Sequence, residues 1–473
     1  MVDSSKAHAV LLSSPGLGHL TPVLELGKRL RTLNFKVTIF VVSSRTSAAE
    51  SQVIESFTSL NLCEVIVLPP PDISHIIDPD ATVVTRIAVL MRETRPAFSS
   101  AISALSSPPT VLIVDLFGTD NLEIADEFKI PKFVYIATHA WFVALTLYLP
   151  VLHESVKGEY GDEKNGLFIP GCMPLQPEDV IDPISCRSDQ QYLESLNIGI
   201  KIPMADGILV NTWEELQPAT LAALRDHKLW SGISKVPMIF PVGPIVTPTS
   251  PTDSNKTELF EWLEKQPIES VLYISFGSGG VLSNEQMIEL AYGLELSQHR
   301  FIWVVRPPAE KKSRDGSFFT VGNSINANEG LASNLPEGFL DRTKNVGLIV
   351  SDWAPQVEIL RHQSVGGFLS HCGWNSILES IANGVALIAW PLYAEQKMNG
   401  ALLAEELRIA VRPKTLPWKG IVGREEIKMM VETLMAGEEG HAMRGRVKEL
   451  KSSGESAWNH NGSSAKALAQ FMC

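Results

Sequence analysis

WAPQVEILRHQSVGGFLSHCGWNSILESIANGVALIAWPLYAEQ, residues 353–396, sets the architecture of the chain. Gly366–Ser370 is a short apolar run, His371-Cys372-Gly373 a tight turn, and Trp374 opens a segment with helical spacing. Val385–Ala389 is a second apolar run. Strand, turn, helix and strand in this order make one βαβ unit, the building block of a parallel sheet with helices on its faces.

Outward from this window the same rhythm continues. Upstream, Val271–Ser275, Phe301–Val305 and Gly347–Val350 read as strands of the same sheet. Residues 311–334 are polar and aperiodic, and read as a loop. Before them, residues 241–257 (PVGPIVTPTSPTDSNKT) have the proline, serine and threonine content of a linker. A second series precedes the linker: Ala7–Ser13, Lys36–Val42, Val65–Leu68, Val111–Asp115, Phe133–Ile136 and Gly207–Val210, the last read as the final strand of that half. The sequence therefore predicts an α/β protein of two Rossmann-like domains facing across a cleft. Expected boundaries are 1–243, a linker at 244–260, 261–453, and a C-terminal helix at 454–473 packing back on the first domain. Ligands are expected at strand C-termini.

Composition narrows the function. The 473 residues carry 40 Lys+Arg against 53 Asp+Glu, a net charge of −13, with no basic stripe for a nucleic-acid backbone. The five cysteines are odd in number and have no CxxC spacing, which fits free thiols in a reducing compartment. No signal peptide and no run of ~18 apolar residues is evident. A cytoplasmic monomer is expected, with small-molecule partners, no nucleic acid and no membrane span.

The window also carries chemistry. Trp353 offers a flat face to a base. The turn at Gly373 leading into a helix start gathers N–H donors and the positive end of a helix dipole, a cradle for phosphates. His371, Asn375 and Ser376 add side-chain hydrogen bonds. Glu379 offers a carboxylate to a ribose diol, and Glu395 with Gln396 an acceptor and a donor to sugar hydroxyls. Together these suit a nucleotide sugar. Singly, each has a plainer explanation: Trp353 as core, Ser376 and Glu379 as a capping box, Glu395 as a solvated helix start. Cys372 reads as a packing residue.

In the first half, Pro15-Gly16-Leu17-Gly18-His19 follows the first strand. A dinucleotide fingerprint would place glycine at 21, where the chain has Thr21, and an acid after the second strand, where it has Ser43 and Ser44. A nicotinamide-dependent oxidoreductase is excluded on both counts. A helix-start histidine with a solvated ring is the plain alternative for His19. Asp120 reads as a cap for the following helix.

The window resembles the signature box of plant family-1 UDP-glycosyltransferases, and VDLFGTD, GILVNTWEEL, PVGP, VLYISFGSGG, LPEGF and AWPLYAEQ extend the resemblance over the whole chain, toward the group acting on phenylpropanoids and monolignols. It implies a GT-B fold and inverting, metal-independent transfer of glucose from UDP-glucose to a phenolic hydroxyl, with no cofactor. The resemblance makes His19 the general base and Asp115 its acid partner. It adds Gly18, Ser278, Ala354, Gln356, Trp374 and Thr138 to the donor site. Phe117, Trp141 and Phe142 are candidates for the acceptor wall. Gln396 goes with glucose in that family. Two positions depart from its pattern: Glu395 stands where many relatives have Asp, and Ile377 where Thr is frequent. A flavonoid-type acceptor, or a silent UDP-binding protein, is the alternative.

Overall fold

The structure, a computed structural model, describes residues 7–43, 48–247, 258–306, 334–351 and 353–471. Most of the expected linker and nearly all of the 311–334 loop lie outside these residues. The chain divides into two compact units, Met1–Ile245 with Ser456–Cys473, and Val246–Glu455.

The first unit is built on seven parallel strands: β1 His8–Ser13, β2 Lys36–Val42, β3 Glu64–Leu68, β4 Val111–Asp115, β5 Lys132–Ile136, β6 Gly207–Val210 and β7 Met238–Pro241. Their order is β3-β2-β1-β4-β5-β6-β7. β1, β4 and β5 are buried at every position, as continuous apolar strands covered on both faces must be. The chain runs outward from β1 to β3, then returns to lay β4 on the other side of β1. The register Leu12↔Val114 therefore brings two strand C-termini together where the winding reverses.

The second unit has six parallel strands: β8 Val271–Ser275, β9 Arg300–Val305, β10 Gly347–Ser351, β11 Val365–Ser370, β12 Ala386–Ala389 and β13 Ala410–Val411. Their order is β10-β9-β8-β11-β12-β13. Winding reverses between β8 and β11, and Ser275 pairs with Ser370 at their C-terminal ends. In open α/β sheets this reversal leaves a crevice where ligands bind.

Three features differ from expectation. Gly207–Val210 is not the last strand of its half, because β7 adds an edge. Pro241 ends β7, where a missing N–H is tolerated. β13 extends the second sheet by two residues, too few to give a sequence period. The tail is two helices, Glu438–Ala457 and Ser463–Gln470. The second belongs to the first unit. Phe471 meets Phe133 edge-on at 4.6 Å and neighbours Phe35 and Phe240. Trp458 donates its indole N–H to the Pro244 carbonyl at 2.9 Å and lies under Arg29. No described helix is long and apolar enough to cross a membrane.

Candidate functional site

In the second unit, the β8–β11 reversal brings the His371 turn against the glycine turn after β8. After β11 the chain turns through Cys372, whose φ is 65°, and enters helix Trp374–Asn383 with Gly373 as N-cap. A glycine cap brings no side chain to the first-turn amides, which leaves this helix start fit for an anion. Ser376 sits in the first turn and is not the cap, so the capping-box reading fails. Its Oγ accepts instead from Gln356 Nε2 at 2.9 Å. The same Nε2 donates to Glu379 Oε2 at 2.7 Å. Burial pushes the Glu379 carboxyl up to about 7 against that hydrogen bond.

His371 is packed between two glycine turns. A Cβ on Gly277, which follows β8, would lie 2.4 Å from His371 Cε1, and one on Gly373 would lie 2.5 Å from its Nε2. The ring is buried, and burial together with Arg306 pulls its pKa down to about 4, so it is a neutral imidazole near pH 7. Its Nδ1 has no hydrogen-bond partner among the described residues. Arg306, just after β9, donates to the Ser278 carbonyl and so adds a cation to the same turn.

Glu395 is the N-cap residue of helix Gln396–Ala401. Gln396 is buried, and its Oε1 accepts the Leu392 and Tyr393 amides at 2.9 and 3.0 Å. Its oxygen shapes the turn, which leaves its NH₂ as the end with hydrogens to give. Trp353 is 73% exposed, so it is no core residue; Ala354 beside it is buried.

In the first unit, the β1–β4 reversal brings His19 to Asp115. Gly16, at φ 99°, caps helix α1 (Leu17–Thr32), and its carbonyl accepts the His19 amide at 3.0 Å. His19 Nδ1 lies 3.7 Å from Asp115 Oδ2, and its side chain is 25% exposed. That separation is longer than a hydrogen bond, and the contact becomes an ion pair only when the imidazole is protonated. Asp115 Oδ2 is held by the Ser14 amide at 3.0 Å and by the Ser14 hydroxyl. Burial pulls the imidazole below its ordinary value, opposed by Asp115 and then Glu50. Burial raises the Asp115 carboxyl, opposed by His19 and Ser14. Phe117 meets the His19 ring edge-on at 5.2 Å. Gly18 is exposed, and a Cβ there would meet nothing within 4 Å. Thr138 is buried, its hydroxyl without a hydrogen-bond partner among the described residues.

Comparison with known proteins gives the family. The family model described as UDP-glucoronosyl and UDP-glucosyl transferase matches residues 241–414. The chain is 59% identical to Anthocyanidin 3-O-glucosyltransferase 5 of Manihot esculenta, over 98% of this chain and 94% of that one. It belongs to the plant family-1 UDP-glycosyltransferases. The Hydroquinone glucosyltransferase of Rauvolfia serpentina is 43% identical to this glycosyltransferase, over 98% of its chain and 97% of the relative's. The crystal structure of TcCGT1 in complex with UDP matches it with a TM-score of 0.90 at 46% identity, covering 99% of this chain and 98% of that one. Its fold is GT-B.

Several positions in this glycosyltransferase differ from the sequence reading. Trp141 is 1% exposed and lies in the core, so of the three aromatic candidates only Phe142, half-buried, and Phe117, at 8%, retain any surface. Asp120 caps no helix; it lies in the turn Leu116–Asn121 and pairs with Lys201. Ser14 and Asn399 were missed. Asn399 Nδ2 donates to the Cys372 carbonyl at 2.8 Å and to Glu395 Oε1 at 3.3 Å, tying the two halves of the signature window together. Neither residue stands in a pattern of its own. Their partners are 101 and 27 positions away.

Proposed function

We propose that this glycosyltransferase moves glucose from UDP-glucose to a hydroxyl of a small phenolic acceptor, with inversion at the anomeric carbon. The observation that carries this is the His19–Asp115 pair at the β1–β4 reversal. It supplies a base with a carboxylate behind it in a chain whose other sheet has a phosphate cradle at the equivalent reversal. With Nδ1 turned to Asp115, Nε2 is the nitrogen that takes the proton. The acceptor oxygen attacks C1 of the hexose, the C1–O bond to the β-phosphate breaks, and the acceptor proton passes to His19.

A phenol near pKa 10 and an imidazole near 6.5 differ by ~3.5 units, so prior deprotonation would cost about 5 kcal/mol. Burial of His19 makes it costlier still. Proton transfer concerted with attack avoids the free phenolate, and Asp115 stabilises the imidazolium as it forms. UDP leaves with its new charge at the start of helix Trp374–Asn383, beside neutral His371 and the Arg306–Ser278 turn. Trp353 stacks on the uracil, and Ala354 lies beside it. Glu379, steadied by Gln356, takes the ribose hydroxyls. Glu395 accepts from the hexose and the Gln396 amide donates to it, and the family resemblance assigns Thr138 to the same sugar.

Purified protein given UDP-glucose and coniferyl alcohol, a simple hydroxybenzene or an anthocyanidin should give the β-glucoside by NMR, also in the presence of EDTA. The anthocyanidin tests the flavonoid alternative, which the relative from Manihot esculenta favours. His19→Ala should lower turnover at least ~100-fold while UDP still binds. An α-linked product, a fully active His19→Ala variant, or UDP binding with no turnover across the panel would overturn the proposal.

A further inference from the structure

Glu50 lies near the start of helix α2 (Ala48–Ser59), is 4% exposed, and is used by nothing described so far except its pull on His19. A carboxylate withdrawn from water needs charge-assisted hydrogen bonds to offset its lost hydration. Its Oε1 accepts the Gly16 amide at 2.8 Å. Gly16 in turn bonds the His19 and Leu20 amides through its carbonyl, at 3.0 and 2.9 Å. A short relay of backbone hydrogen bonds therefore runs from Glu50 to the residue that carries the imidazole. The carboxylate also lies by the start of α1, the positive end of that helix.

We infer that Glu50 is a positioning residue for the base: it anchors, through Gly16, the turn that presents His19, and it adds a second negative charge to that of Asp115 around the imidazole. This rests on His19 being the base. Among the described residues, Asp115 on β4 and Glu50 on α2 are the charged groups acting on the His19 ring, and Phe117 faces it with an apolar edge. The two roles separate by substitution. Glutamine keeps an acceptor oxygen for the Gly16 amide and loses the charge; alanine loses both.

The test is the pH profile of kcat/KM, with kcat and donor KM, for the parent, Glu50→Gln, Glu50→Ala and His19→Ala. Glu50→Ala should lower kcat by about 10-fold or more, with donor KM within about twofold, because a small misplacement of a reacting group is costly. Glu50→Gln should recover at least about half of the parental kcat, with its acidic limb moved to lower pH by ~0.3 units or more, since one anion near the imidazole is gone. Should Glu50→Ala fail to fold, the limb of Glu50→Gln decides alone. The inference is overturned if both variants keep the parental kcat and limb, or if glutamine is as damaging as alanine with the limb unmoved. An active His19→Ala removes the base and this inference with it. An inactive His19→Ala beside parental Glu50 variants removes this inference only.

Discussion

Gly277→Ala should damage the proposed phosphate cradle through one contact, and the size of the effect follows from the geometry. Gly277 has φ 72°, where an L-residue costs about 1–2 kcal/mol relative to glycine. The added Cβ would stand 2.4 Å from His371 Cε1 and 2.5 Å from its Nε2. Carbon atoms rest about 3.5–4 Å apart, so the ring must retreat by about 1 Å. It has little room, since Gly373 closes on the same ring. Overpacking of this kind costs about 1–3 kcal/mol, giving roughly 2–5 kcal/mol in all. Denaturant melts should show that loss, and calorimetry should show UDP binding at least ~10-fold weaker, since ~1.4 kcal/mol of misaligned contacts suffices. The same substitution in a His371→Ala background isolates the cause. With the ring gone, Gly277→Ala should cost only its backbone share, about 1–2 kcal/mol, so the double-mutant cycle should yield a coupling of about 1–3 kcal/mol. An equal penalty in both backgrounds would refute the ring contact as the origin.

Trp353→Ala should leave the melting temperature unchanged, because the side chain is 73% exposed, yet weaken UDP binding by ~1–3 kcal/mol, the range for stacking of an aromatic on a base; unaltered calorimetric affinity would remove Trp353 from the site. Because burial raises Glu379 to about 7, donor KM should rise as pH falls through 7, by at most ~10-fold per unit, and Glu379→Gln should flatten the profile. For the unliganded fold the sign is opposite: the folded state holds this proton more tightly than the unfolded one, so stability should fall as pH rises from ~4.5 to ~7, by at most about 3 kcal/mol, and UDP should offset the loss. Phe471→Ala should lower stability by ~2–4 kcal/mol through the Phe133 and Phe240 contacts, while activity at low temperature stays near parental. An unshifted melting curve would show the final helix to be dispensable.

What the sequence revealed and what it hid divide along a physical line. Strand positions were legible because a strand covered on both faces must be apolar throughout, and Leu112-Ile113-Val114 announces that without reference to anything else. The strands that escaped, β7 and β13, are short edges of four and two residues, and Pro241 in the first argues against a strand in the sequence. The strand, turn and helix from Val365 to Asn383 were legible because they are contiguous, whereas Gly277 and Arg306, which crowd the same turn, come from other strands.

The supports were not legible, because a hydrogen bond fixes the distance between two atoms and says nothing about their separation along the chain. Ser14 meets Asp115 across two strands, Glu50 meets Gly16 across β2, and Asn399 reaches back to Cys372 over a helix and a strand. Gln396 shows the same limit from the other side. Its place at the end of the signature window suggests a sugar contact, but the polypeptide also uses its oxygen. Its oxygen accepts both the Leu392 and the Tyr393 amide at a half-buried turn, and a hydrogen bond of this kind contributes about 0.5–1.5 kcal/mol. The amide serves the turn with its oxygen, and in the proposed donor site its NH₂ serves the sugar. A replacement that keeps only the oxygen, Gln396→Glu, should retain the turn and lose the donor, raising KM for the sugar nucleotide with little change in that for UDP as an inhibitor.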